Sequence, residues 1–321
     1  MEFSFQLLKK YAAVVLLLAV FAVSLLLPAA APRPAFTEEA LGQLLFVDPI
    51  LSSDQSVSCA SCHIPAFGFA DTSAVSLGVE GQAGTRNTPG ITNMTFRDSY
   101  FWDGRAATLE EQVLGPIENP IEMNLPLGIA VDRLRNSTRF RALFQEVYQT
   151  EPDTQHLASA LAAFIETLET GNTPFDRWMN DEPGGMSEAA VRGRELFLDK
   201  AKCFDCHFGP DFTVDEFRNI GLYDGQKYAD RGRFEITKDS ADLGKFKVPG
   251  LRNVAVTAPY MHDGSFKTLA EVIDYYDRPQ HFMPNGINRD PLLSKPLGLT
   301  DQEKSDLEAF LHALTDDRFL K

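Results

Sequence analysis

At 321 residues, with the 44% hydrophobic content of a globular protein, the chain is long enough for two ordinary domains. Its net charge of −15, from 45 acidic against 30 basic residues, argues against nucleic acid and anionic membrane surfaces as partners and would attract a basic one. The same charge serves solubility equally well.

Lys9 and Lys10 precede an apolar run from Tyr11 to Leu27, then Pro28 and Ala29-Ala30-Ala31, and residues 1–35 read as an export signal. The run is longer than the ~7–15-residue core of a signal peptide and shorter than a comfortable ~20-residue span. Pro32 would also hinder cleavage after the alanines, so an uncleaved membrane anchor through residues 11–27 is the alternative. Either way the working part is expected outside the cytoplasm, in a bacterial periplasm.

From Thr37 to Phe46 a capping residue, an acidic first turn and helical apolar spacing predict a helix. Cys59-Ala60-Ser61-Cys62-His63 follows, and C-x-x-C-H is the attachment signal of a c-type haem. Both cysteines can add to the vinyl groups of one porphyrin, and His63 can ligate its iron. Gly, Thr, Asn and Pro dominate between His63 and Phe96, which predicts a loop wrapping a cofactor. Helical patterns return at 108–114, 127–136 and 155–170, and Gly171-Asn172-Thr173-Pro174 marks a boundary between a domain at 36–172 and another at 173–321. A helix over 187–199 leads into Cys203-Phe204-Asp205-Cys206-His207, which repeats the pentapeptide, so the two copies use all four cysteines. The competing reading, one zinc held by four cysteines, leaves both histidines idle. A thioredoxin-like dithiol fits worse, since neither copy sits in a βαβ pattern. Helices are expected at 268–276 and 299–314, and no sheet is expected.

An internal repeat fixes the architecture. Shifted by 160 residues, Pro89, Gly90, Asn93, Tyr100, Asp103, Gly104, Thr108, Leu109 and Glu111 meet Pro249, Gly250, Asn253, Tyr260, Asp263, Gly264, Thr268, Leu269 and Glu271, nine identities in 23 positions. The expected fold is therefore mainly α, two cytochrome c-like haem domains related by duplication after the N-terminal segment. Just beyond the repeat Tyr276 falls opposite Pro116. Tyrosine can ligate iron and proline cannot, so the second haem would be held by His207 and Tyr276 while the first, on His63, keeps an open face. Tyr275 is the neighbouring competitor.

Several further motifs resemble those of the bacterial di-haem cytochrome c peroxidases and their MauG-like relatives: Phe101-Trp102-Asp103-Gly104-Arg105, Leu109-Glu110-Glu111-Gln112, Asn119-Pro120-Ile121-Glu122-Met123, Val248-Pro249-Gly250-Leu251-Arg252-Asn253 and Pro259-Tyr260-Met261-His262-Asp263-Gly264. The resemblance covers essentially all of the exported part. It implies Gln112 and Glu122 over the first haem, with Pro116 beside them and Glu122 as acid/base in peroxide cleavage. It implies Trp102 as the relay between haems, and an inter-haem calcium ion held by the side chain of Asn87 and the carbonyl oxygens of Thr257 and Pro259, a hard-oxygen set. Where members that need reductive activation carry a distal histidine, this chain has Gly78-Val79-Glu80-Gly81, and Tyr276 replaces their methionine. Both departures point to the MauG-like or MbnH-like branch, which uses hydrogen peroxide to oxidise aromatic side chains of a partner protein. The surface tryptophan that MauG uses before its second haem histidine is Ala201 here, and Trp178 is the only other tryptophan.

Met94 and Met123 are expected as apolar packing, and His262, opposite Trp102 in the repeat, as a structural or coupling residue. His156, His281 and His312 carry no motif. The alternatives to a MauG-like enzyme are a peroxide-detoxifying peroxidase fed by a small periplasmic cytochrome and a non-enzymatic di-haem electron carrier.

Overall fold

The computed structural model describes residues 36–320, and the export signal or anchor read at 1–35 lies outside them. Thr37 caps α1 (Glu38–Val47) by accepting from the Ala40 amide at 3.2 Å, with Glu38 and Glu39 in the first turn where the helix dipole favours acids. The single turn α2 (Cys59–Cys62) puts both cysteines of the first C-x-x-C-H within one turn. Then come α3 (Leu109–Glu118), capped by Thr108 and running through Pro116 beyond the expected end, α4 (Leu127–Asn136), α5 (Thr138–Tyr148) and α6 (Thr154–Glu166). Helix α5 is not anticipated by the sequence pattern because Ser137 alone ends α4 and caps α5. Gly42 is the point where α1 meets α6: a Cβ there would lie 1.8 Å from the Ala160 carbonyl oxygen, so only glycine permits the approach. Leu41, Leu45 and Phe46 bury themselves against Leu157, Leu161 and Phe164 around this point. Each fully buried side chain of this kind contributes about 1.5–3 kcal/mol.

The second half contains α7 (Pro174–Met179), α8 (Glu188–Leu198), α9 (Phe234–Thr237), α10 (Leu269–Asp277), α11 (Pro279–Phe282) and α12 (Asp301–His312). Gly193 on α8 repeats Gly42, since its Cβ would lie 1.9 Å from the Asp306 carbonyl oxygen on α12. Phe197, Phe212 and Phe310 meet edge to face beside that crossing. The expected absence of sheet needs one correction: β1 (Phe217–Arg218) pairs antiparallel with β2 (Phe246–Lys247). Two-residue strands are too short to leave an alternating pattern.

The 160-residue repeat recurs atom by atom. The hydroxyl of Tyr100 donates to the Met94 carbonyl and that of Tyr260 to the Val254 carbonyl, each at 3.0 Å. Asn93 and Asn253 both adopt left-handed backbone, φ 57° and 66°. Their amides donate to Leu168 and Leu314 respectively, tying each repeat to the end of its own half's last helix. Both asparagines converge on buried Thr170: the Asn93 side chain accepts from its hydroxyl at 2.6 Å, and the Asn253 side chain donates to it at 3.2 Å. Next along the chain, the amides of Gly171 and Asn172 both donate to Asp316 at 3.1 Å, and Thr173 is fully buried. Arg86 closes the seam with a bidentate pair to Asp230, 2.6 and 2.9 Å, and a 2.6 Å pair to Asp103. The chain from Phe36 onward forms one compact unit.

Candidate haem and peroxide site

A cavity of about 810 Å³ opens beside α2, within the size range of small-molecule and cofactor sites. It brings together Cys59, Cys62, His63, Asn87, Trp102, Gln112, Pro116, Glu122, Thr257 and Pro259. Met94 and Met123 also line it. The Nδ1 of His63 lies 2.9 Å from the Phe69 carbonyl oxygen, so Nδ1–H donates and Nε2 keeps its lone pair for a metal. Burial pushes the His63 imidazolium toward neutrality, the form that ligates. Both thiols are unpaired, and burial with the neighbouring Cys62 pushes Cys59 up to about 12. Two thiols in one turn, a pre-oriented imidazole and a cavity of this volume fit a c-type haem.

Across the cavity, α3 presents Gln112 and Pro116 on one face, four residues apart. The turn after α3 carries Glu122. Burial raises its pKa above the usual carboxyl range, against the opposing effects of the Arg105 charge and the Asn119 hydrogen bond. The Asn119 amide donates to Oε1 of Glu122 at 2.6 Å, and Arg105 lies over the Phe101 ring at 3.5 Å. Both supporting residues lie within the sequence motifs at 101–105 and 119–123, but their hold on Glu122 appears only in the fold. Val79 is fully buried, and its amide donates to the Glu122 carbonyl at 2.8 Å.

Trp102 donates its indole N–H to the main-chain carbonyl of Asn87 at 2.9 Å. The Asn87 amide donates to the His262 carbonyl at 2.7 Å, and its side-chain nitrogen donates to Ser73 and Ala74, 3.3 Å each. That orientation leaves Oδ1 as an acceptor. Among the described residues neither it nor the carbonyl oxygens of Thr257 and Pro259 receive a hydrogen bond, which suits a hard cation. The ring of His262 stacks on Phe246, centroids 3.7 Å apart.

The second motif lies outside this cavity. Cys203–Asp205 form a tighter 3₁₀ turn, with Lys202 in left-handed backbone, and Nδ1 of His207 lies 2.9 Å from the Phe212 carbonyl oxygen, as in the first copy. Tyr276 is half-buried, and burial, with Tyr275, Cys206 and Cys203 close by, pushes its phenol up. The fully buried Tyr275 is already committed: its hydroxyl donates to the Ile220 carbonyl at 2.6 Å. The Tyr276 hydroxyl makes no hydrogen bond among the described residues. Elsewhere, Trp178 carries the Arg194 guanidinium at 5.1 Å, His156 pairs with Asp153 at 2.7 Å, and His281 and His312 are exposed.

Residues 37–184 match the family described as di-haem cytochrome c peroxidase, and residues 190–315 match cytochrome c. The methylamine utilization protein MauG of Methylorubrum extorquens is 39% identical over 282 residues, 86% of this chain and 77% of that protein. The chain belongs to the di-haem cytochrome c peroxidase and MauG family. Cytochrome-c peroxidase IdrP1 of Denitromonas iodatirespirans is 36% identical over 90% of this chain and 84% of its own length. A crystal structure of a MauG-like protein associated with microbial copper homeostasis superposes with a TM-score of 0.81 at 32% identity, covering 92% of this chain and 96% of that one. As a member of it, this di-haem oxidoreductase holds two c-type haems, not one zinc on four cysteines, and uses hydrogen peroxide as oxidant.

Proposed function

We propose that this family member oxidises aromatic side chains of a partner protein, as MauG-like members do, outside the cytoplasm and without prior reduction. One pairing carries the reading: Val79, which cannot ligate, is buried beside Glu122, while Tyr276, which can, stands near Cys203 and Cys206 with its hydroxyl uncommitted. When bound on His63 and on His207, the two haems would supply redox-active iron for peroxide reduction and a store for oxidising equivalents.

Glu122 takes a proton from one peroxide oxygen and returns it to the other, so that the departing oxygen leaves as water. Its raised pKa brings it nearer to working pH for both halves of that exchange. Asn119 holds one carboxyl oxygen, which turns the other toward the cavity, and Gln112 orients the peroxide. Trp102 passes electrons between the two haem sites, with its indole fixed by Asn87. Asn87, Thr257 and Pro259 would hold a calcium ion between the halves.

Purified holoprotein, co-expressed with the products of neighbouring genes and treated with peroxide, should convert a tryptophan or tyrosine of one of them, read by mass spectrometry. Fast peroxide-dependent oxidation of a small cytochrome with every aromatic residue intact would assign the detoxifying peroxidase role instead.

A further inference from the structure

We propose that Gly78 and Val79 are positioning residues for Glu122, and that the loop carrying them is a fixed buttress behind it. The proposal rests on the acid/base reading of Glu122.

The loop from Asp71 to Asn87 is tied down at both ends and in its middle. Near its start, the Ser76 hydroxyl donates to Asp71 at 2.5 Å and lies 2.6 Å from the Thr88 hydroxyl. Ala74 meets the second half, where Gly264 approaches so closely that a Cβ would lie 2.6 Å from the Ala74 Cα. In its middle, the Gly78 amide closes a turn on the Gln82 carbonyl at 2.8 Å, and the Gln82 side chain reaches the Pro120 carbonyl at 3.3 Å.

Gly78 itself sits edge-on against the Glu122 turn. A Cβ there would lie 2.2 Å from the Ile121 carbonyl oxygen, 2.5 Å from that of Glu122 and 2.7 Å from the Glu122 Cα. Its φ of −87° is open to any residue, so glycine is required by contact and not by backbone conformation. The next residue supplies the 2.8 Å hydrogen bond to Glu122, and its side chain has no exposure. From the other side, the Ser53 amide donates to the Met123 carbonyl at 2.8 Å. The Glu122 main chain is thus gripped between two segments remote in sequence, and any side chain at position 78 must displace it.

Displacement of a catalytic group by about 1 Å can cost about 10²-fold in rate. Gly78→Ala should therefore slow peroxide activation of the ferric holoprotein by about that factor, with haem content and the spectrum of the second haem unchanged. In a Glu122→Gln background the same change should cost nothing further, because it acts through Glu122. Gly128→Ala, at an exposed position of α4 with open space around the Cβ, should leave the rate unchanged. A Gly78→Ala rate within twofold of the parent, beside an impaired Glu122→Gln, would overturn the positioning role and leave the acid/base reading standing. Normal rates in both would overturn that reading. Hydrogen exchange of the unsubstituted protein decides the matter even if Gly78→Ala does not fold. The Val79 amide of the ferric holoprotein should be as protected as the core helices, and rapid exchange there would overturn the fixed buttress.

Discussion

At the residue scale the proposed chemistry rests on two side chains, Glu122 and Tyr276, whose neighbours limit what they can do. Glu122→Gln should keep both haems yet slow peroxide activation by about 10²–10⁴, measured by stopped flow. Burial holds the Glu122 carboxyl above its usual 4.5, and in the proposed role its first task is to accept a proton, so the rate should fall as pH drops through a midpoint above 4.5. That acid limb should vanish in the glutamine variant. For the second haem the choice lies between adjacent tyrosines. Tyr275→Phe removes a buried hydrogen bond to Ile220, costing about 1 kcal/mol of stability, and should preserve the low-spin ferric signal in electron paramagnetic resonance. Tyr276→Phe should convert that signal to high spin. The reverse pattern would move the ligand to Tyr275.

At the element scale, two glycine crossings carry the two haem folds. A methyl group at Gly42 or Gly193 would overlap the carbonyl oxygen of Ala160 or Asp306, so Gly42→Ala and Gly193→Ala should each lower the unfolding free energy by about 1–3 kcal/mol or more, read from denaturant titrations. These crossings show what sequence could and could not disclose. Helix starts were legible because Thr37, Thr108, Thr268 and Thr300 cap them locally. That the chain carries two c-type haems was legible because thioether attachment needs its whole signature within five residues, and C-x-x-C-H occurs twice. The repeated Gly-x-x-Leu-Phe at 42–46 and 193–197 was equally plain, but its meaning depends on a helix more than a hundred residues away. The grip of Val79 and Asn119 on Glu122 was hidden for a similar reason: main-chain contacts between segments leave no pattern in residue type.

At the scale of the whole molecule, part-buried ion pairs brace the fold, Arg86–Asp230 across the two halves and Arg252–Asp176 within the second. Burial alone would raise the Asp230 and Asp176 carboxyls, but hydrogen bonds from Arg86 to the first and from Arg252 and Thr173 to the second outweigh it and hold both below the usual range. A depressed carboxyl contributes stability that is complete above its unfolded pKa of about 3.9 and is lost as pH falls through the folded value. Thermal unfolding should thus vary little with these groups near neutrality and weaken below about pH 4. Arg86→Met removes the bidentate partner of Asp230, while Arg105 still pairs with Asp103, and should cost about 1–3 kcal/mol at pH 7, a deficit that shrinks once the Asp230 carboxyl protonates.

The asparagine node at Thr170 bears on timing as well. Linked domains ordinarily move relative to one another, but here the connection between the halves is buried and bonded on both sides, at Thr170 by Asn93 and Asn253 and at Gly171 and Asn172 by Asp316. The gap an electron must tunnel across is therefore set by the fold and not by diffusion of one half against the other. Inter-haem transfer followed by flash photolysis should then be as fast in concentrated glycerol as in buffer, whereas a hinge-gated step would slow in proportion to solvent viscosity.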